Sequence, residues 1–174
     1  MKRLCPPNSV VLSFDEKGRT PVKHFEGRMW FDDRNSYGNN AIYKVATKQK
    51  VKGLLDYFAA KDIFSGRIYH AWYDWKNAFI VIDFFERLLR EIPDKTIYVL
   101  IDCWSAHKAG VMKTFVELNQ RLKLVFMPTN ASWMNNIEQY FSGVERDVLR
   151  NSNFTNVTEL INALTKHPKL GTAI

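Results

Sequence analysis

Apolar runs and apolar periodicity along the chain predict five strands and four helices. Continuous β-branched runs such as Thr96–Ile101 (TIYVLI) are typical of strands that are buried on both faces. The predicted strands cover residues 10–14, 54–63, 67–73, 96–101 and 122–127. Apolar residues at helical spacing predict helices over 78–91, 111–119, 136–149 and 157–165.

The order of these elements predicts a mixed α/β sheet of five strands flanked by helices. The first three strands suit an antiparallel meander, with a hairpin turn at Phe64-Ser65-Gly66. The last two strands suit parallel additions through right-handed crossovers. Asn77 is predicted to cap the first helix. The polar stretch 17–40 is expected to form a turn and irregular loop.

Three acidic residues lie at the ends of predicted elements. Asp15 follows the first strand, Asp102 follows the fourth, and Glu138 opens the third helix. Functional sites of α/β sheets gather at the carboxyl ends of strands, and carboxylates that meet there repel one another unless a cation lies between them. Oxygen ligands without a Cys cluster favour Mg²⁺ or Mn²⁺ over zinc. Two such ions can support phosphoryl transfer.

Each of these acids also has a purely structural interpretation, and both interpretations stand at this point. Asp15 begins the sequence Asp-Glu-Lys-Gly, which is good turn chemistry, and Asp102 can cap a loop. With Asn135 as N-cap, Glu138 falls at the third helical position and forms a variant of the capping box.

Composition narrows the class of protein. The 174 residues are 46% hydrophobic, which suits one folded domain. The net charge of +7 is compatible with nucleic acid as a partner, and equally with a basic protein that has no such partner. Cys5 and Cys103 have no metal-ligand spacing and favour a reducing cytosol. No apolar run approaches the about 20 residues that a membrane span needs.

Three segments together resemble the catalytic domain of DDE transposases, in the bacterial insertion-sequence branch of the mariner-like superfamily. They are VVLSFDEKG, IYVLIDCWSAHKA and MPTNASWMNNIEQYFSGVERDVL. The family pattern is a strand with Asp-Glu, a strand with Asp and a His five residues later, and a Pro-loop-Trp-x-Asn-x-x-Glu helix start. All three motifs occur in order, with 35 residues between Asp102 and Glu138, and the likeness covers residues 10–164.

The resemblance implies a ribonuclease-H-like fold and a two-metal active site. Asp15 would bridge two Mg²⁺ (or Mn²⁺) ions, and Asp102 and Glu138 would complete their ligands. The ions would activate water for strand cleavage at transposon ends, and then the freed 3′-hydroxyl for strand transfer into target DNA, typically at TA sites. The resemblance also implies neighbouring residues that orient these ligands, namely Glu16, His107 and Asn135. For His107, a loop histidine bonded to backbone is an equal alternative.

Further residues are candidate DNA contacts, although a basic run is as often a solvated face. They are Lys44, Lys48, Lys50, Lys52, Trp104 and Lys108. Trp104 could equally be structural. Trp133 is expected to plug the core beneath the third motif rather than to stack on a base.

The chain departs from the family pattern in two respects. Relatives carry an N-terminal helix-turn-helix region that recognises terminal inverted repeats, and we expect it to be encoded separately or to be missing. Cys103 stands where Asn is common. The expected layout is an extension at 1–9, the catalytic domain at 10–165 and a C-terminal tail at 166–174 that is cut short.

Three functions follow as hypotheses. The first is a transposase catalytic subunit that works as a homodimer on DNA, in the nucleoid and cytoplasm of a bacterium or archaeon. The second is an inactive remnant that binds DNA or protein without cutting. The third is a different nuclease on the same fold, such as a structure-specific resolvase.

Overall fold

One mixed sheet organises the residues that the computed structural model describes, which are 6–23, 50–128, 135–150, 152–166 and 172–174. The strands are β1 (Ser9–Pro21), β2 (Leu54–Asp62), β3 (Ile68–Tyr73), β4 (Thr96–Ile101), β5 (Leu122–Phe126) and β6 (Thr172–Ala173). The helices are α1 (Ala78–Glu91), α2 (Gly110–Leu118), α3 (Ile137–Val144) and α4 (Val157–Lys166). The element order therefore agrees with the predicted one.

The strand order in the sheet is β5-β4-β1-β2-β3-β6. β2 runs antiparallel to both β1 and β3, whereas β4 and β5 extend the sheet in parallel beside β1. The predicted arrangement of three antiparallel and two parallel strands is confirmed, and the two-residue β6 adds a parallel partner to β3. Because β1, β3, β4 and β5 point the same way, their carboxyl ends meet at one edge of the sheet, which we call the carboxyl edge.

Strand β1 is longer than the apolar pattern predicts. Asp15 lies inside the strand, opposite Ala59 of β2, and the strand continues as far as Pro21. The expectation that a loop begins at Lys17 is therefore wrong for its first five residues. Pairing with β2 satisfies the backbone of this polar segment, and this nonlocal pairing overrides its local turn chemistry. The register shifts between Lys17 and Thr20.

Strand β4 is buried on one face rather than on both. Ile97, Val99 and Ile101 are completely buried, whereas Tyr98 and Leu100 are partly exposed on the other face. On that second face α3 packs mainly against β1 and β2. The apolar cluster that it shares with α4 includes no residue of β4, so β4 stays partly open.

The two faces of the sheet carry separate apolar cores. On the first face, α1 and α2 pack over β1, β2 and β4, with Phe14 contacting the rings of Phe84 and Phe85 at centroid distances of 5.2 and 5.1 Å. On the second face, α3 and α4 cover Tyr57 and its neighbours. Helix α1 begins as predicted, since the side chain of Asn77 accepts the Ile80 N–H at 3.0 Å.

Helix α3 is held to the sheet by a polar contact within its apolar interface. The hydroxyls of Tyr57 and Tyr140 lie 2.6 Å apart, and both side chains are buried. The helix then continues into a π-helical turn, Glu145–Leu149, so the predicted helix over 136–149 has two parts. Both parts remain on the second face.

The hairpin predicted at Phe64-Ser65-Gly66 joins β2 to β3. Gly66 has φ +75°, a conformation that glycine adopts without strain, and its N–H donates to Asp62 O at 2.8 Å. In the described ranges, no helix is long and apolar enough to cross a membrane.

Replacing Tyr140 by Phe tests the contact that anchors α3. We expect Tyr140→Phe to lower the free energy of unfolding by about 1–2 kcal/mol, because the buried Tyr57 hydroxyl loses its partner. The double variant Tyr57→Phe/Tyr140→Phe should recover part of this loss, since no polar group is then left unsatisfied. Urea denaturation measures both. Additive losses in the double variant would contradict the account.

Candidate active site

The register of the parallel strands brings the first two predicted acids together. Ser13 of β1 is the partner of Leu100 of β4. Two residues further along each strand, Asp15 and Asp102 are therefore opposite each other and on the same face of the sheet. β4 has ended at Ile101, so Asp102 lies just beyond the strand, at the carboxyl edge.

Asp15 is partly buried and sits in a negative field. Its Oδ1 accepts the Glu16 N–H at 2.8 Å, and its Oδ2 accepts from Asn135 Nδ2 at 3.1 Å. Burial raises the pKa of Asp15 to about 6, although the bond from Glu16 N–H opposes the rise. The charges of Glu16, Asp102 and Glu138 raise this pKa further, so the three predicted acids act on one another.

Asp102 is half exposed, and contacts with Trp104 and His107 set the orientation of its carboxylate. Its Oδ1 accepts the Trp104 N–H at 3.0 Å and lies 2.8 Å from His107 Nδ1. On the other side of the ring, His107 Nε2 lies 2.8 Å from Glu16 Oε1. Because Glu16 follows Asp15 in a strand, its side chain points to the opposite face. His107 thus joins Asp102 to the strand that carries Asp15.

His107 is a buried bridge between two carboxylates. Burial of the ring lowers its pKa, but the Glu16 hydrogen bond and the charges of Glu16 and Asp102 outweigh this, so the pKa of His107 is raised. The protonated ring can donate to both acids at once. His107 Nδ1 also lies 3.3 Å from the Asp102 carbonyl oxygen, so the backbone contact of the alternative interpretation is present beside the two carboxylate contacts.

Asn135 does not cap α3, contrary to the capping-box interpretation. Asn136 occupies the N-cap position and makes no capping side-chain bond. The buried Asn135 amide turns to β1 instead, where its Oδ1 accepts from the Ser13 hydroxyl and its Nδ2 donates to Asp15. Asn135 therefore ties the start of α3 to the strand that carries Asp15.

Glu138 lies in the first turn of α3, as predicted, and is exposed. It does not fold back on the Asn135 amide, which is engaged by Ser13 and Asp15. Within the described residues its carboxylate accepts no hydrogen bond, while its backbone N–H donates to Asn135 O at 3.1 Å. The carboxylate is therefore available to an external cation.

The donor set fits a divalent metal ion in chemistry, but its side chains are not gathered around one. Among the residues that the structure describes, no three His, Cys, Asp or Glu side chains lie close enough to hold a metal ion. Three carboxylates at one edge are nevertheless the hard ligands that Mg²⁺ and Mn²⁺ prefer. The pKa of Asp15 is raised mainly by burial and further by the charges of the neighbouring acids, and a cation would oppose both effects. Closing the site requires side-chain rotation, which the exposed Asp102 and Glu138 can make.

Sequence inspection missed two residues that support this site. Ser13 is completely buried and bonds to Asn135, and its polarity within the run VVLSF was a usable signal. Lys76 lies 3.8 Å from Glu16 Oε2, with its ammonium 4.6 Å from the centre of the Trp104 ring. Nothing in the local sequence of Lys76 indicated these contacts.

The candidate DNA contacts are scattered. Lys50 and Lys52 are exposed just before β2. Trp104 is half-buried, with its ring 5.1 Å from that of His107, and the Lys108 ammonium lies 5.8 Å from the Phe126 ring. The other two residues, Lys44 and Lys48, lie outside the described residues. Trp133 lies outside them as well, so its role as a core plug also stays a prediction. DNA binding by any of them stays a prediction.

Comparison with known proteins identifies the family. Residues 46–161 match the family model described as DDE superfamily endonuclease. The chain belongs to the DDE superfamily of endonucleases. The matched segment contains Asp102 and Glu138, whereas Asp15 precedes it. No curated protein sequence matches the chain.

Solved structures of two related systems share the fold. The Mos1 transposase paired-end complex with left transposon end has a TM-score of 0.66 at 14% identity, covering 92% of this chain and 48% of the Mos1 chain. The Mos1 strand transfer complex has a TM-score of 0.67 at 13% identity, covering 91% of this chain and 47% of the Mos1 chain. The simian T-cell lymphotropic virus intasome has been solved in complex with PP2A regulatory subunit B56 gamma. One of its chains has a TM-score of 0.52 at 12% identity, covering 93% of this chain and 44% of that chain.

The predicted ribonuclease-H-like fold is confirmed by these matches. At such low identity they establish the fold alone. The chain spans about half the length of the Mos1 chains that it matches.

Removing His107 tests the bridge beneath the site. In His107→Ala the nearly buried Glu16 keeps Lys76 as its one cationic partner among the described residues. We therefore expect a loss of about 3 kcal/mol in the free energy of unfolding near neutral pH. Lys108→Ala, at the exposed neighbouring position, is the control. Chemical denaturation compares the two variants, and equal effects would rule out the bridge.

The raised pKa of Asp15 predicts a pH dependence of the metal-free protein. The folded state binds the proton more tightly than the unfolded chain, whose value is 3.8. The stabilisation is therefore present below that value and lost as the pH rises through about 6.

Asp15→Asn isolates this contribution in EDTA. Relative to the variant, the wild type should lose about 1–3 kcal/mol between about pH 4 and about pH 7.5, since one pKa unit corresponds to about 1.4 kcal/mol. Any pH-independent effect of the new amide cancels in this difference. Parallel stability curves for the two proteins would contradict the assignment.

Proposed function

We propose that this chain is the catalytic part of a transposase, which cleaves DNA strands at transposon ends and transfers the ends into target DNA. One observation carries the proposal. In a chain of the DDE superfamily, Asp15 and Asp102 face each other across a parallel strand pair, and Glu138 adds its charge to the same field. That convergence is what metal-assisted phosphoryl transfer requires.

The proposed cofactors are two Mg²⁺ or Mn²⁺ ions held by Asp15, Asp102 and Glu138. When bound, such ions activate the attacking oxygen and neutralise charge on the scissile phosphate. A solved Mos1 structure with a TM-score of 0.66 is titled as a paired-end complex with Mn, which supports the choice of cation.

The chain's own residues prepare the ligands before any cation arrives. Asn135 holds one oxygen of Asp15, and the Trp104 N–H and His107 hold one oxygen of Asp102. Asp102 therefore keeps its second oxygen for the metal. Each oxygen of Asp15 accepts one hydrogen bond and keeps a lone pair for the metal. Supporting hydrogen bonds of this kind commonly tune metal affinity in proteins.

DNA is the proposed partner. One of the Mos1 structures is a paired-end complex with left transposon end and another is a strand transfer complex, and the net charge of +7 suits a polyanion. By the same likeness we propose a homodimer on DNA, target sites at TA and a separate helix-turn-helix recognition region. The setting would be the nucleoid of a bacterial or archaeal cell.

A second candidate is a transposase remnant that binds DNA without cutting it. The observation that favours it is the lack, among the described residues, of three acids close enough to share a metal ion. The two candidates differ in whether a cation can draw the acids together.

Cleavage of the element's own ends tests the proposal. The wild-type chain, supplied with its recognition region, should cut end DNA only with Mg²⁺ or Mn²⁺. Asp102→Asn should reduce the rate at least about a hundredfold, because it removes a metal ligand. Asp94→Asn, in the exposed turn before β4, is the matched control and should cut normally.

Two outcomes would overturn the proposal. One is cleavage by Asp102→Asn at the wild-type rate. The other is a wild-type protein that never cuts and shows no Mn²⁺-dependent rise in melting temperature, which would indicate the remnant, since a bound cation must stabilise the folded state.

A further inference from the structure

A polar groove begins at Glu138 and follows α3 away from the candidate active site. We call it the α3 groove, and its volume is about 390 Å³. Its lining residues are Lys17, Glu138, Phe141, Ser142, Glu145 and Arg150. Apart from Glu138, none of them is assigned a part in the chemistry proposed above.

The helical geometry explains why these residues share one groove. Glu138, Ser142 and Glu145 are spaced by four and three residues, so they lie on one face of α3. The π-helical turn then brings Arg150 to the far end. Lys17 comes two residues after Asp15 in β1, and so it projects from the same face of the sheet as Asp15.

The two basic side chains of the groove differ in whether they form an ion pair. Lys17 Nζ lies 2.5 Å from Glu145 Oε2, in an ion pair whose side chains are 25% and 42% exposed. The Arg150 side chain is exposed and forms no salt bridge with any acidic side chain among the described residues. One cation is therefore held by a weak, partly solvated pair, and the other is open to an external anion.

We propose that the α3 groove binds a backbone phosphate of the DNA strand that enters the active site, with Lys17 and Arg150 as its cationic contacts. This inference rests on the proposed function. Glu145 competes with the DNA for Lys17, so binding exchanges a carboxylate partner for a phosphate. The Ser142 hydroxyl lines the same groove and is a further donor to a phosphate oxygen.

The length of the groove identifies which phosphate it takes. Seven residues of helix rise about 10 Å, so Glu145 lies about that far along α3 from Glu138. A phosphate at Lys17 and Arg150 is thus a neighbour of the scissile phosphate and not the scissile phosphate itself. Its contacts hold the strand in register without taking part in the reaction.

Charge couples this subsite to the metal site. Without a cation the groove has two positive and two negative side chains and no net charge. When a divalent ion neutralises Glu138, the remaining side chains Lys17, Arg150 and Glu145 give the groove a net charge of one positive unit. The groove therefore becomes attractive to phosphate when the metal site is filled.

The chain supplies a matched control pair. Arg67 and Glu91 also form an exposed ion pair, at 3.0 Å, where Arg67 precedes β3 and Glu91 ends α1. That position is at the amino end of β3, away from the carboxyl edge. Removing an acid or a base there changes the net charge of the protein by the same amount but leaves the α3 groove unchanged.

Fluorescence anisotropy with an end-labelled duplex of about 20 base pairs, in Mg²⁺ and over a salt series, tests the proposal. Arg150→Gln should weaken binding about three- to tenfold and lower the salt slope by about 0.9, the value of one lost phosphate contact. Glu145→Gln should tighten binding about threefold, since Lys17 is released from a weak pair. Arg67→Gln and Glu91→Gln should differ little from wild type.

Equal effects at the two ion pairs would overturn the proposal, because general charge would then explain both. A Glu145→Gln variant that binds no better than wild type would also overturn it. Cleavage is measured separately on denaturing gels, with the element's end DNA and the recognition region supplied as above. If wild type cuts and the Arg150→Gln and Arg67→Gln variants bind alike, only this inference fails. If Arg150→Gln weakens binding as expected but wild type never cuts, the groove stands and the proposed function fails.

Discussion

The parallel pairing of β1 with β4 is the constraint on which the rest of the site depends. Its register places Asp15 opposite Asp102. Strand β4 ends at Ile101, so Asp102 lies just beyond the hydrogen-bonded ladder of the sheet. A shift of this register by one residue would send one of the acids to the other face of the sheet. The apolar core beneath β4 holds the register, because Ile97, Val99 and Ile101 are all completely buried.

Bringing carboxylates together is unfavourable for the folding free energy of the metal-free protein. Burial is the main cause of the raised pKa of Asp15, and the charges of the neighbouring acids raise it further. Hydrogen bonds from Asn135 and from the Glu16 N–H limit this cost without removing it. A cation would turn the same arrangement from a source of strain into a binding site, which is the usual relation between stability and function at active sites.

The two faces of the sheet support the site through different residues. On one face Asn135 ties α3 to β1, and the Tyr57–Tyr140 contact anchors the helix further along. On the other face His107 spans from Asp102 to Glu16. Orientation of the acids therefore depends on contacts between residues that are far apart in sequence.

Local patterns predicted most of the fold because apolar periodicity and capping residues are local features of the sequence. The run TIYVLI and the cap at Asn77 correspond to β4 and to the start of α1. The extension of β1 past Asp15 was missed, since it depends on pairing with β2. Asn135 was expected to cap its own helix, yet its partner Ser13 lies 122 positions away. The sequence pointed to the three acids because each was predicted to stand at the end or start of an element. In the structure this holds for Asp102 and Glu138, whereas Asp15 lies inside β1.

The central claim is that Asp15, Asp102 and Glu138 form one metal site. A crystal structure with Mn²⁺, using anomalous scattering to locate the ion, tests it most directly. We expect bound Mn²⁺ whose ligands, at about 2.0–2.4 Å, together include oxygens of all three carboxylates, with Asp102 and Glu138 rotated toward Asp15. Mn²⁺ bound elsewhere, or no Mn²⁺ with the three carboxylates still apart, would contradict it.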